Sequence, residues 1–510
     1  MMYRCSVFAV VLLALSSTQV TAQVYGSNSF EFQLGNLPFE DDRSYSTGYN
    51  QTNLYYDSGN ISLYGRFEQF ITPIEERNYF QLTQKSIQFQ DDQFRVRAGN
   101  FYETLGRGLL LRSYDIPGSV FEESFERTRY AFFRELEGFA AEYTSDLVEV
   151  KALRAQPLFN PLPPNTMPDS LRRPDLVETL QANFYLNDRI SAGGILMRNQ
   201  TIGSDYTNFG ALTTDITITD NVQFFGEYAF ELEDAFGFES ETDAFGLYLG
   251  SNFYSGSFGG SLEYKSYNNF RIGSGYNDPP SLIKEHTYPV LNRSTHVLDT
   301  GGEYGYQFEV YYNFDDCHAL TFNISRAVNN AFLRFEYIEI FLEGLYQLND
   351  QLSVKSFLDY ADDELKGEMN RISAGLITDY LFDNGSGIIV DLQFQQFERD
   401  EFVQTSGQFE PNTSSNLYSS VSYSFSSDFV VAGVMELSTD PQLTDDPTTF
   451  SMVEDETRFW LGTNVLYRAN STNTIELFAG KRRGGPACTS GICYEILDFE
   501  GVELRLTTRF

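Results

Sequence analysis

The residues best suited to chemistry are concentrated in a few segments that are not themselves patterned as strands. Segment 104–135 contains five arginines and no lysine, in a chain with only 35 basic residues. Facing arginine and carboxylate groups can set which charged solutes pass a narrow opening. The alternative is ordinary pairing between arginine and carboxylate inside a folded loop, and both can hold. The candidate constriction residues are Arg107, Arg112, Arg127, Arg129, Arg134, Glu122, Glu123 and Glu126.

A second segment, about 268–302, contains two of the three histidines, His286 and His296, with Asp299 nearby. Histidine beside a carboxylate can act as a general base in a hydrolase. No motif fixes that geometry, and His318 follows an apparent turn. Nucleotide-binding, zinc-protease and nucleophile-elbow patterns are also missing from the sequence. We therefore favour structural roles for the histidines and predict no catalytic residues and no enzymatic activity.

Carboxylates cluster in a third segment. Its members are Asp440, Asp445, Asp446, Glu454, Asp455 and Glu456. Such groups can bind Ca²⁺ or bridge divalent ions to lipopolysaccharide phosphates, but their spacing matches no defined calcium loop. A solvated acidic loop is the favoured interpretation, and no cofactor is predicted.

Residues 1–22 have the features of a cleaved secretory signal. Arg4 supplies a positive charge, 7–15 is an apolar run, and Val20-Thr21-Ala22 resembles a cleavage site. Nine apolar residues are too few for a membrane-spanning helix, which needs ~20. We therefore expect export, and a mature chain that begins at Gln23.

Three cysteines remain after residue 22. Cys488 and Cys493 flank a turn-like Thr-Ser-Gly-Ile spacer, and an oxidising compartment favours a disulfide between them. Two thiols without a nearby histidine form an incomplete metal site, so no metal site is predicted. Cys317 is expected to be a free thiol.

The composition excludes several classes of protein. The chain has 510 residues, a formal net charge of −36 and a mean hydropathy of −0.31. A nucleic-acid-binding protein needs a basic surface, and a helical membrane protein needs long apolar segments. Aromatic residues make up 16% of the chain, which a disordered polyanion would lack.

The elements that must position these residues are strands, because polar and apolar residues alternate with a period of two. In 222–232, for example, Gln223 and Glu227 alternate with Val222, Phe224 and Tyr228. Eleven short turns rich in Asn, Asp, Ser and Gly separate such stretches. The turns are centred on Gly59, Asp91, Asp146, Asp188, Asp220, Gly256, Asp316, Asp350, Asn384, Asp428 and Ser471.

Short turns that alternate with longer loops are typical of a transmembrane β-barrel. Eleven turns join 22 strands, and one strand at each end makes about 24, with 22 to 26 allowed. The predicted fold is a single all-β antiparallel barrel over residues 23–510, with short periplasmic turns and long extracellular loops. Soluble sandwiches, propellers and solenoids are alternatives, but the sequence has no linkers to divide it into several such domains.

The last strand supports the barrel. Val502, Leu504 and Leu506 alternate with charged residues, and the chain ends at Phe510, a candidate C-terminal signal for the barrel assembly machinery. Apolar faces should contact lipid and charged faces the lumen. The first strand begins soon after the signal, so the wide lumen would be filled by loops or a partner, or left open.

Two segments resemble a family of uncharacterised outer-membrane barrels of Bacteroidota. They are Gly99-Asn100-Phe101-Tyr102-Glu103-Thr104-Leu105-Gly106-Arg107-Gly108-Leu109 with Arg112-Ser113-Tyr114, and a patch over 285–307 that includes Leu291-Asn292-Arg293-Ser294-Thr295-His296. The resemblance implies the barrel fold and a Gram-negative cell outer membrane. It implies no catalytic residue, and the general layout is similar to that of porins.

The favoured function is a porin-like channel or a partner-gated transport pore, with segment 104–135 as its constriction. The alternative is a surface-binding or scaffold barrel that holds a polysaccharide or a protein. An outer-membrane hydrolase is the least favoured. Expected partners are outer-membrane lipid and lipopolysaccharide, the barrel assembly machinery, and a periplasmic or surface protein, but no nucleic acid. The proline-rich segment 156–174 is predicted to be a stiff extended loop.

Overall fold

The fold is known from a computed structural model. It describes residues 22–37, 44–232, 243–273, 279–281, 283–297, 300–331, 333–403, 408–441, 443, 457–489 and 492–510. The predicted signal, 1–22, therefore lies almost wholly outside the described residues, as do Asp299 and most of the acidic segment 440–456.

Strands account for almost all of the regular structure. In chain order they are β1 (Gln23–Gly35), β2 (Tyr45–Ser58), β3 (Ile61–Ile71), β4 (Tyr79–Gln90), β5 (Phe94–Phe101), β6 (Tyr114–Glu122), β7 (Arg129–Arg134), β8 (Leu136–Thr144), β9 (Val148–Pro157), β10 (Asp175–Asn187), β11 (Ile190–Thr201), β12 (Tyr206–Thr219), β13 (Val222–Leu232), β14 (Phe245–Ser255), β15 (Phe258–Asn268), β16 (Gly302–Asn313), β17 (His318–Asn329), β18 (Phe335–Asn349), β19 (Leu352–Asp363), β20 (Glu368–Leu381), β21 (Gly387–Val403), β22 (Gln408–Ser426), β23 (Phe429–Ser438), β24 (Arg458–Arg468), β25 (Asn473–Arg482), β26 (Gly485–Thr489), β27 (Ile492–Ile496) and β28 (Phe499–Arg509).

Among the described residues, helical structure is limited to three short pieces: a 3₁₀ turn at Glu75–Arg77, α1 (Asp169–Arg172) and α2 (Pro289–Asn292). In the described ranges, no helix is long and apolar enough to cross a membrane. The all-β class predicted from the sequence is therefore confirmed.

Twenty-four of the strands form one antiparallel sheet that closes on itself, while β6–β7 and β26–β27 are separate two-stranded hairpins. The eleven short turns predicted from Asn, Asp, Ser and Gly all connect adjacent wall strands at one end of this barrel. Gln23, where the first strand begins, and Phe510 lie at that same end. The predicted strand number of 24 is confirmed, because each turn signal marks a real hairpin.

The barrel closes where β1 pairs with β28. Their register runs from Ser27 opposite Arg509 to Gly35 opposite Gly501. At the end of this seam, Gly26 and Phe510 exchange two backbone hydrogen bonds of 2.8 and 3.0 Å. The terminal residue is thus part of the wall, which leaves no unpaired sheet edge at the seam.

Side chains alternate across the wall as the period of two predicts. Phe32 and Leu34 of β1 are exposed on the outside, whereas Glu31 and Gln33 are only 2% exposed and face inward. On β28, Val502 is exposed and Glu503 is buried. A wall that is apolar outside and polar inside suits a surrounding hydrocarbon layer rather than water. Closure of the sheet also suits that layer, because the strands satisfy each other's backbone hydrogen-bonding groups.

The connections at the other end differ more in length than the sequence suggested. Several are as short as the turns, including 202–205 and 364–367. Between β21 and β22, 17 paired positions extend the hairpin from Gly387 opposite Ser424 to Val403 opposite Gln408. The three long connections with most internal structure are 102–135, 269–301 and 483–498. The long outer loops that the sequence predicts are therefore accompanied by short connections.

Candidate functional site: a lumen occupied by loops

The lumen is occupied by outer loops that fold back against the inner wall. Loop 102–135 enters first and has two parts. Residues 105–111, which we call the leucine segment, pack on strands β8–β15. Strands β6 and β7 (Tyr114–Glu122 and Arg129–Arg134) form the seam hairpin, which lies against β1–β4 and β28.

The leucine segment forms an apolar core inside the barrel. Leu105, Leu109, Leu110 and Leu111 have no exposed surface. They pack against inward-facing wall residues that are small or apolar: Ala140, Leu153, Ala155, Val177, Ile195, Met197, Phe209, Ala211, Ala229, Tyr248 and Tyr267. The expectation that a charged strand face lines the lumen is therefore wrong for this sector. Apolar surface on both faces of a strand is stable here because a loop removes the inner face from water.

Polar contacts secure the tip of the leucine segment. The backbone N–H of Arg107 donates to the carboxylate of Glu227, and the Arg107 side chain binds Asp215. Its guanidinium also lies 4.4 Å from the ring centroid of Phe225. Glycine precedes Arg107 because Gly106 has a left-handed φ of +55°, and because a Cβ at that position would lie only 2.6 Å from Glu227 Oε2.

The seam hairpin docks through a group of buried charges that we call the seam cluster: Glu31, Glu122, Arg127, Arg129 and Glu503. Arg129 binds Glu31 of the first strand and lies 3.9 Å from Glu503 of the last strand. Its Nε is 3.5 Å from Glu122. All four of these side chains are less than a tenth exposed. The hairpin therefore contacts both sides of the barrel closure through one guanidinium.

Arg127 extends this attachment at the hairpin turn, where its own φ is +49°. Its Nε donates to the carbonyl of Asn36 at 2.7 Å, and Nη1 donates to Glu122 at 3.0 Å. Nη2 donates to the carbonyl of Asp498. Since Asn36 follows β1 and Asp498 precedes β28, this one side chain joins the two ends of the wall.

The eight predicted constriction residues do not gather at one point. Arg127, Arg129 and Glu122 belong to the seam cluster, whereas Arg107 lies at β12–β13. Arg112 and Arg134 lie on the ring of Tyr114, at 5.6 and 5.9 Å from its centroid. Two others belong to the hairpin turn: Glu123 accepts hydrogen bonds from the N–H groups of Phe125 and Glu126, and Glu126 binds Arg77.

Loop 269–301, which we call the histidine loop, covers the wall from β15 to β23. His286 is 5% exposed and its Nε2 is 3.1 Å from Glu339 Oε1. His296 is equally buried, with Nε2 3.2 Å from Glu303 and Nδ1 3.8 Å from Asp363. Although burial alone would lower it, the neighbouring carboxylates of Asp363 and Glu303 raise the pKa of His296 to about 9. Both histidines thus join the loop to acidic groups of the wall.

Short helix α2 and the residues around it add further attachments. The Tyr288 hydroxyl donates to Glu343, and its ring packs 4.1 Å from that of Phe357. Gln395 donates to the carbonyl of Val290 at 3.1 Å, and Arg371 donates to the carbonyl of Ser294 at 3.1 Å. These contacts come from four wall strands and hold residues 288–294 of the loop against the wall.

The proline-rich loop closes over the seam hairpin. Asn160 donates to the carbonyls of Ala131 and Phe133, both at 3.1 Å. Arg172 in turn donates to Asn160 at 3.0 Å. The side-chain amide replaces the strand partner that β7 lacks on that edge. The predicted extended loop thus acts as a cover for the hairpin.

Two cysteines lie on the β26–β27 hairpin, where the backbone register places Cys488 opposite Cys493. The disulfide between them remains a prediction. Cys317 is a free, exposed thiol in the turn between β16 and β17.

Space remains beside the loops. A cavity of about 490 Å³ lies along β1–β5 under the seam hairpin. Tyr25, Tyr55 and Tyr64 line it as a stack with ring centroids 5.0 and 4.8 Å apart. Arg66, which is bound to Asp115 of the hairpin at 2.8 Å, lines its inner end. This sector of the lumen is therefore polar and aromatic, unlike the apolar sector under the leucine segment.

Most of the candidate calcium ligands lie outside the described residues. Of the six acidic residues, only Asp440 lies within the described residues, where it binds Arg399 at 2.9 Å. In the part of the chain that the structure describes, no group of three or more His, Cys, Asp or Glu residues is arranged to hold a metal ion.

Sequence reasoning missed the leucine segment and the wall it covers. A signal was available: Ile195 and Met197 are buried on the inner face of β11, while Leu196 between them is exposed outside. A strand apolar on both faces needs cover on both sides. Leu109-Leu110-Leu111, in a loop otherwise rich in charge, is the matching cover.

Comparisons with known proteins find one family model and several solved structures. A protein-family model described as a family of unknown function, DUF6029, matches residues 206–336. These residues run from β12 into β18 and include the histidine loop. A search of curated proteins finds no match.

Several porins are among the solved structures that match. OccK3 (OpdO) of Pseudomonas aeruginosa is 12% identical with a TM-score of 0.41, over 70% of this chain and 94% of that one. OprD of the same organism is 9% identical with a TM-score of 0.36, over 67% and 90%. A BenF-like porin from Pseudomonas fluorescens Pf-5 is 12% identical with a TM-score of 0.36, over 68% and 94%.

Proposed function

We propose that the chain is a porin-like channel of the outer membrane, whose conducting path is set by its own inward-folded loops. The observation that carries the proposal is a closed 24-stranded wall, apolar outside, that surrounds loops attached by buried polar contacts. A barrel this wide would otherwise leave a large aqueous opening. Loops that narrow the lumen convert it into a selective passage.

The passage runs beside the seam hairpin in this proposal. The 490 Å³ cavity there is lined by Arg66, Arg97, Asp115 and the stacked tyrosines. Arg97 binds Glu103 at the start of the loop, so charged groups of wall and loop face the same space. Loop 102–135 acts as the constriction through these contacts and through Arg112 and Arg134, rather than through a ring of all eight predicted residues.

An outer-membrane location is part of this proposal, and the same wall supports it. Apolar side chains on the outside would contact lipid, and the end that carries the eleven short turns would face the periplasm. Phe510 would serve as the assembly signal. The buried histidines, each paired with carboxylates, offer no reason to prefer a hydrolase.

Conductance in planar lipid bilayers tests the proposal. The wild-type protein should give small unitary conductance steps. A variant in which residues 114–134 are replaced by a short glycine–serine linker should give steps several times larger, because the hairpin then leaves the lumen. Arg189→Gln, in an exposed turn at the opposite end, is the matched control and should behave as wild type.

Folding is verified separately by the shift in electrophoretic mobility on heating. If folded wild-type and hairpin-deleted proteins both insert but neither conducts, the channel function is wrong. Equal conductance in the two proteins would contradict the role of the hairpin as the constriction.

A further inference from the structure

A second cavity, of about 350 Å³, lies inside the wall between the histidine loop, β20–β23 and the start of β26. Its lining is unusual for a chain with a net charge of −36. Four cationic side chains face it: Arg293, Lys366, Arg399 and Arg483.

Three carboxylates offset two of these cations. Arg293 binds Glu436 with both terminal nitrogens, one at 2.9 Å. Arg399 lies 2.9 Å from Asp440 and 3.3 Å from Glu368. The local carboxylates are therefore already committed to two arginines.

The other two cations have mainly neutral partners. Lys366 donates to the backbone carbonyls of Thr295 at 2.8 Å and Arg293 at 3.4 Å. Among the described residues, Arg483 donates one hydrogen bond, from Nη1 to Asn416 at 3.2 Å. Its Nε is buried without a hydrogen-bond partner among the described residues, and Glu436 is 3.8 Å away.

Arg483 is the cation for which this arrangement is least favourable. Its side chain is only 8% exposed. Burial, together with the neighbouring Arg293, lowers the pKa of Arg483 to about 10. A buried guanidinium with an unused donor is unfavourable unless an anion completes its set of partners.

We propose that this cavity binds a small dissolved oxyanion, such as a phosphate or carboxylate group, with Arg483 as its main partner. The planar fork of a guanidinium matches such groups, and Ser294, Gln395 and Asn416 add polar lining. A neighbouring cavity of about 600 Å³ shares Lys366 and Arg399 and includes the outer connection 364–367. In this proposal the anion enters from the outer rim through that neighbouring cavity. Binding here does not depend on whether the barrel conducts.

Isothermal titration of the purified full-length protein with sodium phosphate, in detergent at low and constant ionic strength, tests the site. Wild type should bind phosphate with one site per chain. Arg483→Gln should weaken binding at least tenfold, and Arg483→Lys, which keeps the charge, should weaken it less. Arg198→Gln is the control, because Arg198 is half-exposed on β11 and paired with Glu178.

Absence of phosphate binding to the wild type, or unchanged binding to Arg483→Gln, would overturn the proposal. If that variant does not fold, Lys366→Gln replaces it and must weaken binding several-fold. Acetate titrated in the same way distinguishes a carboxylate site from a phosphate site. Competition by lipopolysaccharide would assign the anion to a lipid headgroup and would overturn a site for dissolved ions.

Discussion

Replacing Arg129 with methionine removes the cation that connects the seam hairpin to both the first and the last strand. The side chain is 7% exposed, and its three carboxylate neighbours are Glu31, Glu122 and Glu503. Methionine fills much of the volume but leaves buried charges behind. Breaking a buried ion pair by removing one partner costs about 3–5 kcal/mol.

The structure favours the lower end of that range. Glu31 keeps Arg505 at 2.6 Å, and Glu503 keeps Arg482 at 3.3 Å. Glu122 keeps Arg127 at 3.0 Å. Because no carboxylate is left without a cation, we expect the free energy of unfolding to fall by about 3 kcal/mol.

Urea titration followed by the fluorescence of the single, buried Trp460 measures this change. Arg189→Met is the matched control, since Arg189 forms a 2.8 Å pair with Asp220 in which both side chains are more than half exposed. Such surface pairs contribute about 0–1 kcal/mol. Hydrogen exchange of residues 114–134 should also accelerate in Arg129→Met.

A loss below about 1 kcal/mol, no larger than in the control, would refute the reasoning. So would unchanged exchange in the hairpin despite a destabilised barrel, because the hairpin would then be held by other contacts.

Three further predictions concern the leucine segment, the histidine loop and the cysteines. Leu110→Ala should destabilise the folded protein by about 2–5 kcal/mol and enlarge the bilayer conductance. The control Leu147→Ala, at a 73% exposed turn position, should change neither stability nor conductance. Equal effects of the two substitutions would contradict the internal core. The pKa of His296 is raised to about 9 from an ordinary ~6.5. The stability that protonated His296 gives to the folded loop is therefore complete below pH 6.5 and is lost as the pH rises through 9. Hydrogen exchange of residues 283–297, corrected for its intrinsic pH dependence, should therefore accelerate between pH 7 and 10 in wild type but not in His296→Gln. A flat profile in wild type would count against the attachment of His296 to its carboxylate partners. Maleimide should label one thiol per unfolded mature chain before reduction and three after it, and three labels without reduction would exclude the predicted disulfide.

Much of the wall could be predicted from the sequence because its determinants are local. A period of two assigns each residue to the inner or outer face within a single strand, as Phe32 and Gln33 show. Asn, Asp, Ser and Gly in tight turns mark the hairpins at one end. The strand number follows by counting turns, and that count required no knowledge of which strands pair around the barrel.

The other end was less predictable. Connections such as 202–205 and 364–367 are as short as the turns, and the period-two pattern does not limit how far a hairpin extends beyond the rim. Length and composition suggested outer loops, but their conformation depends on what they contact. The two histidines illustrate this: the sequence favoured structural roles for them, but only the folded chain shows that their partners are carboxylates on β16, β18 and β19.

The sequence by itself therefore determined a closed sheet with an apolar outer face and the number of its strands. It also identified the arginine-rich loop as a candidate to enter the lumen. Only the tertiary structure decided how that loop is held. Arg129 meets Glu503 across the closure of the barrel, 374 positions away along the chain, and the leucine segment meets a wall assembled from eight strands. Such contacts depend on the barrel having closed, so no local pattern of residue types can specify them.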